Sequence, residues 1–213
     1  MSVTDMTKYK NFMVVGMPRS GNHYLAHLVG INFFGRTTIP KKVVLHHLPN
    51  EAALEQPEGP FVTFYCYRSF EGFSKSFYNL RARFGMGDIT LEDLRTRPLG
   101  ELVPQGDKPK ANYTFDDGDT CQQSTEIRLW YARSKRTLRE HWQQHLREWF
   151  SHAAKTPHVV VVNYESLLQA FHPTMLNIAA CLGSTKVEFE DKLGRIGWYP
   201  PGQKWVRELK DKS

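Results

Sequence analysis

Three short stretches carry residue types that could do chemistry on a phosphate-bearing ligand. The first is GMPRSGNHYLAHL, residues 16–28. Gly16 and Gly21 have the Gly-x-x-x-x-Gly spacing of a phosphate-gripping turn, and an apolar helix pattern follows directly. Such a turn aims backbone N–H groups and the positive end of a helix dipole at one point. Ser20 offers a hydroxyl and Arg19 a charge. A loop for a magnesium–nucleoside triphosphate continues with Lys and then Ser or Thr, which hold the terminal phosphates and the metal. Asn22 and His23 stand there instead. The expected ligand is therefore a phosphate group that needs no magnesium, and no metal is expected.

The second stretch is VVLHHLPN, in which His47 closes a predicted strand. Carboxyl ends of strands in an open parallel sheet line the ligand crevice. A histidine there is placed for general-base work, with an unperturbed pKa of about 6.5. A partly buried structural histidine is the competing reading. His46, pointing the other way on a strand, is its natural control. The third stretch is CYRSFEGFSKSFYNL. Arg68 follows another predicted strand, and Ser76 lies eight residues on, under two turns into a helix that begins near Phe70. A guanidinium and a hydroxyl converging there would make a second phosphate site.

These residues need a scaffold, and the hydrophobic pattern supplies one. Strands are predicted at Asn11–Gly16, Lys42–His47, Phe61–Tyr67 and His158–Asn163, the last a continuous apolar run suited to a sheet buried on both faces. Helical periodicity marks Ser20 to about Phe34, Phe70–Arg83, about Thr125–Ala154 and about Ser166–Leu182. Alternating strands and helices predict an α/β three-layer sandwich with a central, mostly parallel sheet. Residues 85–125 are rich in Gly and Pro and read as a lid or acceptor-binding excursion with one short helix near Thr90–Thr96.

The 213 residues suit a single domain, residues 1–213. The net charge of +6 favours an anionic ligand but is mild for a nucleic-acid binder, and no run of five basic residues occurs. Cys66, Cys121 and Cys181 are odd in number and lack metal-binding spacing, as expected of reduced thiols in a cytoplasmic protein. The N-terminus has no apolar signal core and no run approaches the roughly 20 residues of a membrane span, so neither secretion nor a membrane anchor is expected.

Taken in order, PRSGNHYL, HHLP, Arg68 with Ser76 and two following aromatics, and VVVVNYESL resemble the family of sulfotransferases that use PAPS (3′-phosphoadenosine 5′-phosphosulfate). The resemblance runs from about Phe12 to Leu168. It implies a five-stranded parallel α/β fold related to nucleotide kinases, with a P-loop-like phosphosulfate loop. Pro18, Arg19, Ser20, Gly21, Asn22 and His23 occupy the positions of that loop, and four of the six match. Arg68 and Ser76 match the family's 3′-phosphate pair, His47 its catalytic base, and Tyr164 its adenine-contacting tyrosine.

Several positions depart from the family pattern. Asn22 and His23 replace two threonines, Tyr24 replaces a tryptophan near the adenine, and Arg19 stands where many members have Lys. Leu45 replaces a lysine that often precedes the His-Leu-Pro stretch. Arg195-Ile-Gly197 only partly echoes the C-terminal signature, which implies Arg195 and Gly197 as further cofactor contacts. The implied activity is sulfuryl transfer from PAPS to a hydroxyl, less readily an amine, of a small-molecule or glycan acceptor. His47 would act as base and Arg19 as charge stabiliser, and the product would be adenosine 3′,5′-bisphosphate. The rival readings are a small-molecule or nucleotide kinase of related fold and a non-catalytic nucleotide-binding module.

Overall fold

The structure is a computed structural model, and it describes residues 8–17, 19–35, 59–104 and 130–191, with the backbone alone at Arg83. Strands β1 (Asn11–Val15), β2 (Phe61–Tyr67) and β3 (Val159–Asn163) form a sheet in the order β1-β2-β3, both pairings parallel. All three are short runs of β-branched and aromatic residues, the composition of strands covered on both faces.

Alternate side chains divide between the two faces. Phe12, Val14, Val62, Phe64, Cys66, Val160 and Val162 pack with α1 (Asn22–Phe33), α6 (Tyr164–Gln169) and α7 (Phe171–Leu182). Met13, Val15, Tyr65 and Val159 pack with Trp149 of α5 (Leu138–Ala153). The described chain is thus mixed α/β, with helices against both faces of a parallel sheet. A third apolar cluster gathers α2 (Phe70–Tyr78), α3 (Leu91–Thr96) and α4 (Leu99–Leu102) around Phe73, Phe77, Leu94, Leu99 and Tyr131. Met17 of the first loop is buried in this cluster, which ties the loop to α2 and its neighbours.

Two expected helices are divided. The predicted helix over Thr125–Ala154 is interrupted at 133–137, between helical residues 130–132 and α5. Thr137 and Glu140 form a capping box that starts a new helix, and the carbonyls of Ser134 and Arg136 accept from Gly100 and Leu99 rather than from a helical turn. The predicted helix over Ser166–Leu182 breaks at Ala170 (φ −135°, ψ 55°). Pro173 explains this: its ring has no N–H and would clash with the carbonyl of Gln169 in a continuous helix. The helix expected over Phe70–Arg83 ends at Tyr78 and is followed by a 3₁₀ turn at Arg81–Phe84. The short helix near Thr90 is present, with Thr90 and Asp93 as its capping box, and α4 follows it. The predicted strand Lys42–His47 and residues 105–125 lie outside the described residues. Among the described residues no helix is long and apolar enough to cross a membrane.

Candidate functional site

Parallel pairing brings three chain segments to one edge of the sheet. Val15 pairs with Tyr65, and Tyr67 with Asn163. The residues that follow these strand ends, Gly16, Arg68 and Tyr164, therefore leave the sheet on the same side.

The loop after β1 is shaped from within. Arg19 (φ 70°) and Gly21 (φ 96°) adopt the left-handed conformation. The Ser20 N–H donates to the Met17 carbonyl at 3.1 Å, and the Ser20 carbonyl accepts from the Cys66 thiol at 3.1 Å. Burial, then the nearby Glu165 charge, pushes the Cys66 thiol far above its ordinary range, so it stays protonated and keeps donating. Asn22 is 5% exposed, and its Nδ2 donates to the carbonyls of Gly16 and Met17, both at 3.1 Å. Its two amide hydrogens are thereby turned away from any ligand, while its buried Oδ1 has no hydrogen-bond partner. A side chain at Gly16 would lie 2.4 Å from both Asn22 Oδ1 and the Cys66 carbonyl, so glycine is required there.

Helix α1 starts at this loop with no side-chain cap and no acidic residue in its first turn. The first N–H groups of a helix have no acceptor within it, and its dipole adds positive potential. A loop and helix start so arranged can act as an anion cradle. Arg19 sits on the loop and donates from Nε to Ser76 Oγ of α2 at 3.1 Å. His23 is exposed.

Tyr164 joins the loop to Arg68. A Cβ on Gly21 would lie 2.0 Å from the Tyr164 ring, so the ring rests directly against the loop. The Arg68 guanidinium lies 4.8 Å from the centre of the same ring, at cation–π distance. Tyr24 meets Tyr164 edge-on, with centroids 6.2 Å apart, and donates its hydroxyl to Asp191 at 3.0 Å. The Arg68 carbonyl accepts from Trp142 Nε1 of α5 at 3.0 Å. Arg68 Nε is buried without a hydrogen-bond partner and stands 3.7 Å from Glu165 Oε1.

Arg19, Ser20, Gly21, Asn22, Tyr24, Arg68, Ser76 and Tyr164 thus lie in one connected neighbourhood, although Ser76 is bonded to Arg19 rather than to Arg68. Pro18, His47, Arg195 and Gly197 lie outside the described residues. Among the described residues no group of three His, Cys, Asp or Glu side chains could hold a metal ion.

Glu165, Ser69, Cys66 and Trp142 support the site, and motif spacing does not single them out. Ser69 alone leaves a sequence signal, as a helix-capping residue immediately before the Phe70 helix pattern. No protein-family model matches the chain, and no curated protein matches it.

Proposed function

We propose that this chain is a PAPS-dependent sulfotransferase with a P-loop-like phosphosulfate loop. The observation that carries the reading is that one ring, Tyr164, touches both the anion cradle at Gly21 and the guanidinium of Arg68. Two cationic features held by one rigid spacer suit a nucleotide with a charged group at each side of its ribose. The loop would take the 5′-phosphosulfate and Arg68 the 3′-phosphate, to which Ser76, accepting from Arg19, would donate its hydroxyl hydrogen.

Asn22 favours this over a magnesium-dependent kinase. It occupies the position a triphosphate loop gives to Lys, and its amide is committed to two loop carbonyls. A sulfuryl group carries one negative charge where a phosphoryl group carries two. Fixed N–H groups and one arginine can therefore stabilise its in-line transfer without a metal. The acceptor oxygen attacks sulfur as the bond from sulfur to the bridging oxygen breaks. That oxygen leaves on adenosine 3′,5′-bisphosphate, with Arg19 and the loop amides stabilising its charge. The acceptor proton passes to His47, an assignment that rests on sequence position. The acceptor is a small molecule or glycan.

Thermal unfolding with adenosine 3′,5′-bisphosphate against Mg-ATP tests the reading. Ligand at 100 times its dissociation constant should add about 2.7 kcal/mol. A clear shift with Mg-ATP and none with the bisphosphate would overturn it.

A further inference from the structure

Glu165 faces Arg68 but is bonded elsewhere. Its carboxylate accepts from the Ser69 N–H at 3.1 and 3.3 Å, from Ser69 Oγ at 2.6 Å and from Asn163 Nδ2 at 3.1 Å. These donors anchor it between the ends of β2 and β3. Arg68 Nε lies 3.7 Å from Oε1, close enough for charge attraction and too far for a hydrogen bond. Gly72 makes room for the arrangement: a Cβ there would lie 2.6 Å from Arg68 Nε and 3.0 Å from Glu165 Oε1. Arg68 is equally constrained, by the Tyr164 ring and through its carbonyl by Trp142. The result is a fixed cation with a fixed counter-charge beside it and an Nε still lacking an acceptor.

We infer that Glu165 sets how tightly Arg68 holds the second phosphate of the ligand. The inference rests on the cofactor reading above. A phosphate arriving at Arg68 meets the exposed part of its side chain, since Nε itself is buried, and must sit near the Glu165 carboxylate. Like charge at that range opposes binding, and the opposition is confined to the phosphate that Arg68 receives. Glu165 therefore weakens the hold on the 3′-phosphate selectively and favours release of the bisphosphate product. A purely structural Glu165 predicts the opposite sign, because its removal would loosen Ser69 and misplace Arg68.

The test is calorimetric titration of the full chain with adenosine 3′,5′-bisphosphate and with adenosine 5′-monophosphate. Glu165→Gln keeps a carbonyl oxygen for Ser69 and removes the charge. It should tighten the bisphosphate about fivefold or more, with a steeper salt dependence, and leave the monophosphate within about twofold. Ser69→Ala removes an anchor and keeps the charge, so it should not tighten either ligand. Weaker or unchanged bisphosphate binding by Glu165→Gln overturns the inference. So does an equal shift for both nucleotides, or tightening by Ser69→Ala as well. If the wild-type chain binds neither nucleotide, the cofactor reading itself falls and this inference falls with it. If the wild type binds the bisphosphate and Glu165→Gln does not tighten it, only this inference falls.

Discussion

Arg19 donates its Nε hydrogen to Ser76 Oγ at 3.1 Å, across 57 residues of sequence. This bond joins the loop after β1 to the last turn of α2. The spacing in the sequence paired Ser76 with Arg68, and the fold gives it to Arg19. Arg19 is also the one described non-glycine residue with a positive φ. A side chain with a Cβ in that conformation costs roughly 1–2 kcal/mol, so the loop carries strain at the residue proposed to stabilise the leaving group.

Strain and function can be separated at this residue. Arg19→Gly and Arg19→Ala both remove the guanidinium and its bond to Ser76, but only glycine relieves the left-handed backbone. The glycine variant should be more stable than the alanine variant by about 1 kcal/mol, or about 2–4 °C in melting temperature. Both should lose sulfuryl transfer by about 100-fold or more. Equal melting temperatures would argue against backbone strain, and retained turnover would remove Arg19 from the chemistry.

Gly21 is constrained twice, by its φ of 96° and by the Tyr164 ring 2.0 Å from where a Cβ would stand. Gly21→Ala should destabilise the chain by about 2–3 kcal/mol and abolish nucleotide binding. Adding Tyr164→Ala should recover the part due to collision and leave about 1 kcal/mol of backbone strain. A single variant that melts like wild type would show that the ring yields freely, and Tyr164 would then be a poor spacer.

Much of the scaffold is legible in the sequence because its signals are local. Phe61–Tyr67 is a strand at the boundaries its composition predicts, and Val159–Asn163 differs by one residue. The Gly16–Gly21 spacing locates the tight turn before α1 because glycine is physically required at both ends. Helix breaks also leave local signals, though the apolar periodicity runs straight through them. Thr137-x-x-Glu140 is a capping box within an apolar pattern, and Pro173 stops a helix four residues before itself. The partners of site residues were not readable. Asn22 turns its amide inward and Glu165 faces Arg68 because of how three strand ends align, and side-chain type alone carries no record of that.

His141 gives the fold an acid limit away from the site. It is 5% exposed, packs tilted against Trp130 with centroids 4.5 Å apart, and its Nε2 is 2.5 Å from Ser134 Oγ. Burial, then the Arg136 charge, pushes its pKa down to about 4, with Glu140 opposing. The unfolded chain therefore binds a proton between pH 6.5 and 4 that the folded chain refuses, and stability falls as pH falls through that window. The loss should be on the order of 2–3 kcal/mol by pH 4. His141→Gln should be less stable at pH 7 but should lose less between pH 6.5 and 4. Parallel stability curves for the two proteins would show that His141 is protonated in the fold.

His47 is the sharpest test of the proposed chemistry. A base that takes the acceptor proton acts in the transition state, so its loss should cut turnover without changing how the nucleotide is held. His47→Ala should lower kcat by about 100-fold to 10,000-fold and leave the dissociation constant of adenosine 3′,5′-bisphosphate within about twofold. Raising the pH should partly restore the variant with an acidic acceptor, because such an acceptor ionises without help, and should not restore it with an alcohol. His46→Ala, the neighbouring position in the strand that the sequence predicts, should keep most activity. If the two variants lose activity equally, the pair contributes to folding rather than to proton transfer. If His47→Ala stays fully active, the base is another residue.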